Sequence, residues 1–393
     1  MLVPQDNRRK KGLPRTRMLF SLGSMVLVGL VVASTVFAFT HINTGSPPPS
    51  PSTKPFVNEP SIVKASQANV VTLLPKPTAT PLSKTVVNSK TGLTSTSGFS
   101  FTAAGDYGQT SYTTANLNYI ARSGVNFSLG LGDFDYDPNT TADAWSSYAK
   151  SLLPANFPFE IVAGGHDTQI DTLAVDLPDH IGNISGTYAK EYSFDYPPAK
   201  PLARFIIVSP SQILPGYNYG VGGADYNWVA QKIDEARAAN IHWVIVGMHQ
   251  YCFVIDSTVC PTQDFLDLLL NKKVDLILEA QKHTYQASKQ LALNPTTCPT
   301  LPITSYNTQC VVNATRSFTK GVGSLIVVSG TGGTVPLLSI DSTDPKINYF
   351  RSWMGANVNQ SFGVSQFSVT PTQISMNFVP VAGTFTDSFT LSG

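Results

Sequence analysis

Short apolar runs alternate with longer amphipathic segments over most of the chain, from residue 99 onward. The runs are rich in Val, Ile and Phe, which is typical of β-strands, and the clearest lie at 99–106, 126–133, 159–165, 204–209, 242–249, 274–283 and 324–330. Three segments between them have apolar residues at helical spacing, at 142–153, 225–239 and 262–273. Strands that alternate with helices predict βαβ units and therefore an α/β domain.

The first 40 residues have a different pattern. Residues 1–17 contain six basic residues and one acidic residue, and residues 18–40 contain no charged residue. An uncharged segment of this length can cross the hydrocarbon core of a bilayer as a helix, so we predict either a transmembrane anchor or a cleaved signal peptide. Its length favours the anchor, whereas Val36-Phe37-Ala38 is an acceptable cleavage site. In both cases the positive-inside rule places the rest of the chain outside the cytoplasm.

Composition separates a tether from a globular domain. Residues 41–98 are rich in Pro, Ser, Thr and Lys, which predicts a disordered, extended tether because such a segment buries little apolar surface. Residues 99–393 hold fifteen basic and twenty-three acidic residues, a net charge of −8, although the whole chain carries +1. An acidic domain argues against nucleic acid as a partner. We therefore expect one globular domain over 99–393, with an oligomeric state that the sequence leaves open.

The chain contains four cysteines, Cys252, Cys260, Cys298 and Cys310. In an exported protein an even number of cysteines predicts disulfides. Sequence neighbours would pair Cys252 with Cys260 and Cys298 with Cys310, although four cysteines allow three connectivities. A structural zinc site is the weaker alternative, because no C-x-x-C pair occurs.

Polar residues that can bind metals follow the C-terminal ends of five predicted strands. They are Asp106, Asp133, His166, His249 and His283. Because open α/β sheets place their sites beyond the carboxyl ends of the strands, these side chains are expected to converge. Carboxylates and imidazoles suit zinc or a first-row transition metal, which can supply a nucleophile from water near neutral pH. No G-x-S-x-G, Walker A or dinucleotide-binding motif occurs to favour another chemistry.

Five blocks around these residues carry a family resemblance. They read GDYGQT, GDFDYD, GGHD, VGMH and AQKHTYQ, at 105–110, 132–137, 164–167, 246–249 and 280–286. Their order and spacing resemble the calcineurin-like metallophosphoesterases, and among these the purple acid phosphatase branch. The resemblance implies a four-layer αββα sandwich, in which two mixed β-sheets are flanked by helices. The SGTGG segment at 329–333 and the strand-rich segment at 359–379 also fit the end of that family's domain.

The resemblance also implies a set of metal ligands. Asp106, Tyr136 and His283 would bind a first metal, and Asp133 would bridge it to a second. Many relatives have a histidine where this chain has Gly108, and in the purple branch a tyrosinate takes its place, which fits Tyr136. A phenolate and two carboxylates favour trivalent iron at this first position.

The second position departs from the family pattern. His249 remains as a ligand, but Gly165 stands where relatives have asparagine and Gln281 where they have histidine. Gln281 is at most a weak neutral ligand, so zinc, manganese, iron or no metal at all is expected there. His166 would lie near the leaving group as a proton donor or charge stabiliser, and Asp167 is expected to orient its imidazole.

These features predict an exported, membrane-tethered phosphoesterase that resembles the acid phosphatases. It would hydrolyse small phosphomonoesters by attack of a metal-bound hydroxide, with activity reduced by the changes at Gly165 and Gln281. The alternative is a weakly active or non-catalytic surface protein of the same fold, which binds one metal and a phosphate or glycan ligand.

Overall fold

The computed structural model describes residues 98–137, 139–177, 180–210, 214–250, 253–257 and 263–393. The predicted basic segment, apolar span and tether, together with Cys252 and Cys260, lie outside these residues. In the described part, none of the helices combines the length and the apolar character needed to span a bilayer. The described cysteines form the predicted disulfide, Cys298–Cys310.

Two large mixed sheets form the centre of the fold. The seven-stranded sheet has the spatial order β12 (Ser317–Thr319), β17 (Ser388–Ser392), β16 (Gln373–Ala382), β15 (Phe362–Val369), β1 (Phe99–Ala104), β2 (Phe127–Gly130) and β3 (Phe159–Ile161). The eight-stranded sheet has the order β14 (Phe350–Met354), β9 (Tyr285–Ser288), β13 (Leu325–Ser329), β8 (Leu276–Glu279), β7 (Trp243–Met248), β6 (Ala203–Val208), β5 (Glu191–Tyr196) and β4 (Ser185–Thr187). A small ladder joins β10 (Gln290–Leu291) to β11 (Val311–Asn313).

Helices cover the outer faces of both sheets. The helices are α1 (Ser111–Ser123), α2 (Ala142–Leu152), α3 (Ile170–Asp176), α4 (Ala224–Ala238) and α5 (Gln263–Asn271), and short 3-10 helices occur at Thr308–Cys310 and Pro345–Tyr349. Apolar residues of α1, α2 and α3 pack on the seven-stranded sheet, and those of α4 and α5 pack on the eight-stranded sheet. The predicted four-layer αββα sandwich is therefore confirmed.

The largest core lies between the sheets. Strand β6 shows how the sequence creates it, because Phe205 and Ile207 face this core while Ile206 and Val208 face the helices on the other side. Strands that are buried on both faces read as continuous apolar runs rather than as alternating ones. Across the sandwich the Phe101 ring of β1 meets the Phe205 ring of β6 edge to face, with their centroids 5.2 Å apart. The central strands are thus rigid supports for the loops that follow them.

Two helices, α1 and the short α3, were not among the predicted helices, and α1 is the longer one. Its sequence, SYTTANLNYIARS, is too polar to show a clear apolar stripe. Its ends nevertheless carry good signals. Thr110 caps the N-terminus by accepting hydrogen bonds from the amides of Tyr112 and Thr113, and Gly124 ends the helix with φ of 72°.

Candidate metal centre

The candidate centre lies where loops from both sheets meet. Parallel pairing of β1 with β2 places the loops after them side by side, and the amide of Asp106 donates to the carbonyl of Gly132 at 3.0 Å. Parallel pairing of β7 with β8 does the same in the other sheet, where the Ala280 amide donates to the His249 carbonyl at 3.1 Å. The sheets therefore present their carboxyl ends to a common site, as the positions of the polar residues predicted.

Four of the predicted residues form one tight cluster, which we call the first half-site: Asp106, Asp133, Tyr136 and His283. The Tyr136 hydroxyl lies 2.8 Å from Asp106 Oδ1, 3.2 Å from Asp133 Oδ2 and 3.1 Å from His283 Nε2. His283 Nε2 is 3.4 Å from Asp106 Oδ1. The other Asp106 oxygen, Oδ2, is buried and has no hydrogen-bond partner among the described residues. A buried carboxylate oxygen without a partner is costly unless a cation lies beside it.

The second half-site consists of Asp133, which it shares with the first, His249, Gly165 and Gln281. His249 Nε2 lies 3.3 Å from Asp133 Oδ2 and the ring is 1% exposed. Its Nδ1 is 2.7 Å from the Leu131 carbonyl oxygen, which requires a proton on Nδ1 and leaves the Nε2 lone pair for a metal. Ligand atoms of Asp106, Asp133 and His249 all lie within 4.8 Å of one another, close enough to hold a metal ion.

The other two members of the second half-site contribute little. Gly165 is exposed, and a Cβ built on it would meet only Asp133 Oδ1, at 3.9 Å. The Gln281 side-chain oxygen is buried without a hydrogen-bond partner in the described part of the chain. The backbone thus leaves space for a ligand at Gly165, but only Asp133 and His249 supply strong donors. Catalytic zinc sites usually keep three protein ligands, so the donor set fits a metal in the first half-site better than in the second.

Backbone strain marks the centre. Asp106, Asp133 and Gln281 have φ of 63°, 53° and 63°, in the left-handed region that side chains other than glycine rarely adopt. Such conformations persist only where the surroundings hold them, and they concentrate at functional sites. Each of the three follows the end of a strand by two or three residues, and the side chains of Asp106 and Asp133 lie in the cluster.

The position of Asp167 corrects one expectation. Its carboxylate accepts hydrogen bonds from the backbone amides of Asp133 at 2.8 Å, Phe134 at 2.9 Å and Gly164 at 2.7 Å. No hydrogen bond to the His166 ring occurs among the described residues, so Asp167 orients the Asp133 loop instead of the imidazole. A carboxylate can accept hydrogen bonds from several backbone amides at once. Asp167 thereby holds together a tight loop whose amides would otherwise lack acceptors.

His166 lies at the exposed rim of the centre. Its ring packs against the Tyr136 ring with centroids 4.4 Å apart, and its backbone amide donates to Asp133 Oδ1 at 2.8 Å. The side chain therefore borders the cluster without being one of its innermost donors. That position is compatible with the role of proton donor predicted for it.

Electrostatics favour a cation at the centre. Burial and then the charges of Asp106 and Asp133 raise the pKa of Tyr136 far above its usual value, so the phenol loses its proton only when a cation lies close to it. Burial lowers the pKa of His249, but the hydrogen bond to Asp133 and the charges of both aspartates outweigh this effect and bring it to about 9. The two aspartates therefore attract positive charge, which protons on the histidines supply and which a bound metal would supply in their place.

Three contributions from the backbone could not be read from motifs. The Leu131 carbonyl orients His249, and the Pro336 carbonyl lies 3.2 Å from His283 Nδ1. At Gly330 a Cβ would come 2.7 Å from Asp106 Oδ2 and 2.1 Å from the Lys282 carbonyl oxygen, so only glycine fits there. The sole signal in the sequence was the glycine-rich segment at 329–333.

Comparison with known proteins supports the fold. No family model matches the chain. Among curated proteins, Arabidopsis thaliana purple acid phosphatases 22 and 21 are similar at 20% identity over 203 residues and 23% over 202 residues. Each alignment covers 49% of this chain and 46% or 45% of the relative. The chain therefore spans about half the length of these relatives.

The solved structure of purple acid phosphatase PPD1 from yellow lupin (Lupinus luteus) seeds is similar with a TM-score of 0.55 at 16% identity. The match covers 75% of this chain and 54% of that one. The domain has the metallophosphoesterase fold, and the resemblance inferred from its five sequence blocks is confirmed.

Proposed function

We propose that this protein is a metal-dependent phosphoesterase that hydrolyses phosphomonoesters. The observation that carries the proposal is the convergence of Asp106, Asp133, Tyr136 and His283 in one cluster, where the second carboxylate oxygen of Asp106 is buried without a hydrogen-bond partner among the described residues. Two carboxylates and a phenol are hard oxygen donors, so we assign iron to the first half-site. When bound, the metal would supply an activated water and neutralise charge on the phosphoryl group.

The residues around the metal have separate tasks. Asp106, Tyr136 and His283 would hold the ion, and Asp133 would hold it from the side of the second half-site. Asp167 fixes the loop that carries Asp133. His166, at the exposed rim, would donate a proton to the leaving oxygen.

We also propose that the domain works outside the cytoplasm, tethered to the membrane by residues 18–40 and 41–98. The Cys298–Cys310 disulfide supports this location because disulfides persist in oxidising compartments. Protease treatment of intact cells should digest the domain while cytoplasmic markers survive. Recovery of the whole chain in the soluble cytoplasmic fraction would contradict the proposal.

The enzymatic proposal is tested on the full chain purified in detergent. Metal content is measured by mass spectrometry, and turnover of p-nitrophenyl phosphate is followed after loading with iron, zinc or manganese. We expect bound metal and turnover in the natural protein, both lost in Asp106→Asn and both kept in Asp264→Asn, which changes an exposed carboxylate on α5. Absence of both metal and turnover in the natural protein would refute the proposal.

A second candidate function rests on the incomplete second half-site. With Gly165 exposed and without a side chain, a single metal would be left to bind phosphate or a glycan without efficient hydrolysis. This non-catalytic surface protein would bind one metal and inorganic phosphate but show no turnover. The same metal and turnover measurements, with phosphate binding followed by calorimetry, separate the two functions.

A further inference from the structure

A pocket of about 280 Å³ opens beside the metal cluster, on the side of the seven-stranded sheet. Tyr136 and His166 line it, and both also border the first half-site. Its inner wall is apolar and includes Phe134, Trp145 and Leu173. Because it adjoins the residue that would protonate the leaving oxygen, this pocket is where the alcohol part of a phosphomonoester would lie. We call it the alcohol pocket.

The charges of the alcohol pocket have one sign. Asp135 and Asp137 line it, and no lysine or arginine does so among the described residues. Asp135 accepts hydrogen bonds from the Gln109 amide group and from the backbone amides of Tyr136 and Asp137, and Asp137 accepts from Asn139. All of these donors are neutral. Within the part of the chain that the structure describes, neither carboxylate forms a salt bridge with a basic side chain.

One feature of the pocket would favour an anion, namely the N-terminus of α2. Two of its first three amides are already occupied: the Ala142 amide donates to Gln169 Oε1 at 3.3 Å and the Ala144 amide donates to Thr141 Oγ1 at 3.2 Å. Asp143 in the first turn adds a further negative charge. The helix end therefore does not offset the two carboxylates.

We propose that the alcohol pocket selects phosphomonoesters of small amino alcohols, such as phosphoethanolamine and phosphocholine, over esters whose alcohol carries another negative charge. This inference rests on the proposed phosphoesterase function. A volume near the lower end of ligand clefts favours a small alcohol, and the carboxylates attract its ammonium group. In the reaction the ester P–O bond breaks, a P–O bond to water forms, and a proton from that water ends on the alcohol oxygen.

The test compares kcat/KM for phosphoethanolamine and 3-phosphoglycerate, with the metal-loaded full chain. One unit charge about 4 Å from another in water changes a binding equilibrium roughly fivefold, so two carboxylates should give a preference of about tenfold or more for the amino alcohol ester. The Asp135→Asn/Asp137→Asn double variant should bring the ratio close to one. The matched control is Asp234→Asn/Asp264→Asn, which removes two exposed carboxylates from α4 and α5, on the side of the eight-stranded sheet, and should keep the ratio.

A second measurement does not need turnover. Saturation-transfer NMR should detect binding of choline, through its methyl groups, to the natural protein and to the control variant. It should detect little binding of choline to the Asp135→Asn/Asp137→Asn variant, and little binding of glycerate to any of them.

The outcomes separate this inference from the proposed function. Equal or faster hydrolysis of 3-phosphoglycerate, or a ratio that the Asp135→Asn/Asp137→Asn change leaves intact, overturns the inference while the phosphoesterase proposal stands. If no ester is hydrolysed, the phosphoesterase proposal fails and the NMR result decides on the pocket. Choline binding that depends on Asp135 and Asp137 then supports an amine-binding pocket, and its absence overturns that as well.

Discussion

The two half-sites share Asp133 and lie on similarly built loops, yet they differ in what they offer a metal. In the first, the Tyr136 hydroxyl lies within 3.2 Å of atoms from three other donors. In the second, only the 3.3 Å contact between His249 and Asp133 joins two strong donors. The backbone of the second is nevertheless shaped for ligands, with free space at Gly165 and a left-handed Gln281. A fold can thus position the backbone of a site whose side chains do not supply a full set of ligands.

The largest effect is expected from Asp133, because both half-sites depend on it. Asp133→Asn keeps the shape of the side chain but removes the charge, and we expect a loss of at least about 10³-fold in kcat/KM together with loss of bound metal. Turnover of p-nitrophenyl phosphate and metal analysis check this, with Asp264→Asn as the exposed control. Retention of metal and rate in Asp133→Asn would mean that the centre lies elsewhere.

A gain of function sharpens the contrast between the half-sites. Gly165→Asn/Gln281→His should raise the metal content from one ion to two and increase kcat by roughly 10²–10³-fold, since it adds one charge stabiliser. Space at Gly165 permits the asparagine, and histidine is among the residues that tolerate the left-handed region found at Gln281. Gly165→Ala is the control, since it adds a Cβ without a ligand atom.

If the double variant binds a second ion without gaining rate, the missing ligands are not what limits catalysis. If it binds no more metal than the natural protein, the second half-site is not a metal site at all.

Matched histidine substitutions compare the half-sites directly. His283→Gln should weaken metal binding about 10- to 100-fold more than His249→Gln, because His283 contacts both Tyr136 and Asp106 in the better ligated cluster. Metal affinity is measured by competition with a chelator, and circular dichroism checks that both variants fold. Equal losses would show that the half-sites contribute alike.

The smallest effect concerns stability outside both half-sites. Glu160 on β3 is fully buried, and burial raises its pKa to about 8, although the Ile181 amide and the Tyr192 hydroxyl lower it in part. The folded state therefore holds the carboxyl proton of Glu160 more tightly than the unfolded state does. The contribution of Glu160 to the free energy of unfolding is fully present below about pH 4.5 and is lost as the pH rises towards 8. We expect a decrease of up to about 4 kcal/mol across that range, at roughly 1.4 kcal/mol for each unit by which the pKa is raised.

Denaturant titration at pH 4.5 and pH 8 measures this decrease. It should be smaller in Glu160→Gln than in the natural protein, while metal content stays unchanged. An unaltered pH dependence in Glu160→Gln would assign the effect to other groups, such as those of the metal centre.

The clustering of these residues was predictable from sequence because they follow strands that are easy to recognise. Asp106 and His249 come directly after apolar runs, and parallel strands bring such positions to one edge. The role of Asp167 was not predictable, because it depends on three backbone amides that converge only in the folded loop. Helix α1 was missed for a different reason, since its polar sequence hides the caps at Thr110 and Gly124.

The visible absorption spectrum of the iron-loaded protein tests the central claim most directly. If Tyr136 binds ferric iron beside Asp106, Asp133 and His283, the protein should be purple through a tyrosinate-to-iron charge-transfer band. Tyr136→Phe should lose that band, even at saturating iron. The control variant Tyr119→Phe should keep it, because the Tyr119 hydroxyl contacts Gln366 and lies outside the cluster. A colourless natural protein that holds stoichiometric zinc would contradict the assignment of iron, and a purple Tyr136→Phe variant would contradict the assignment of Tyr136.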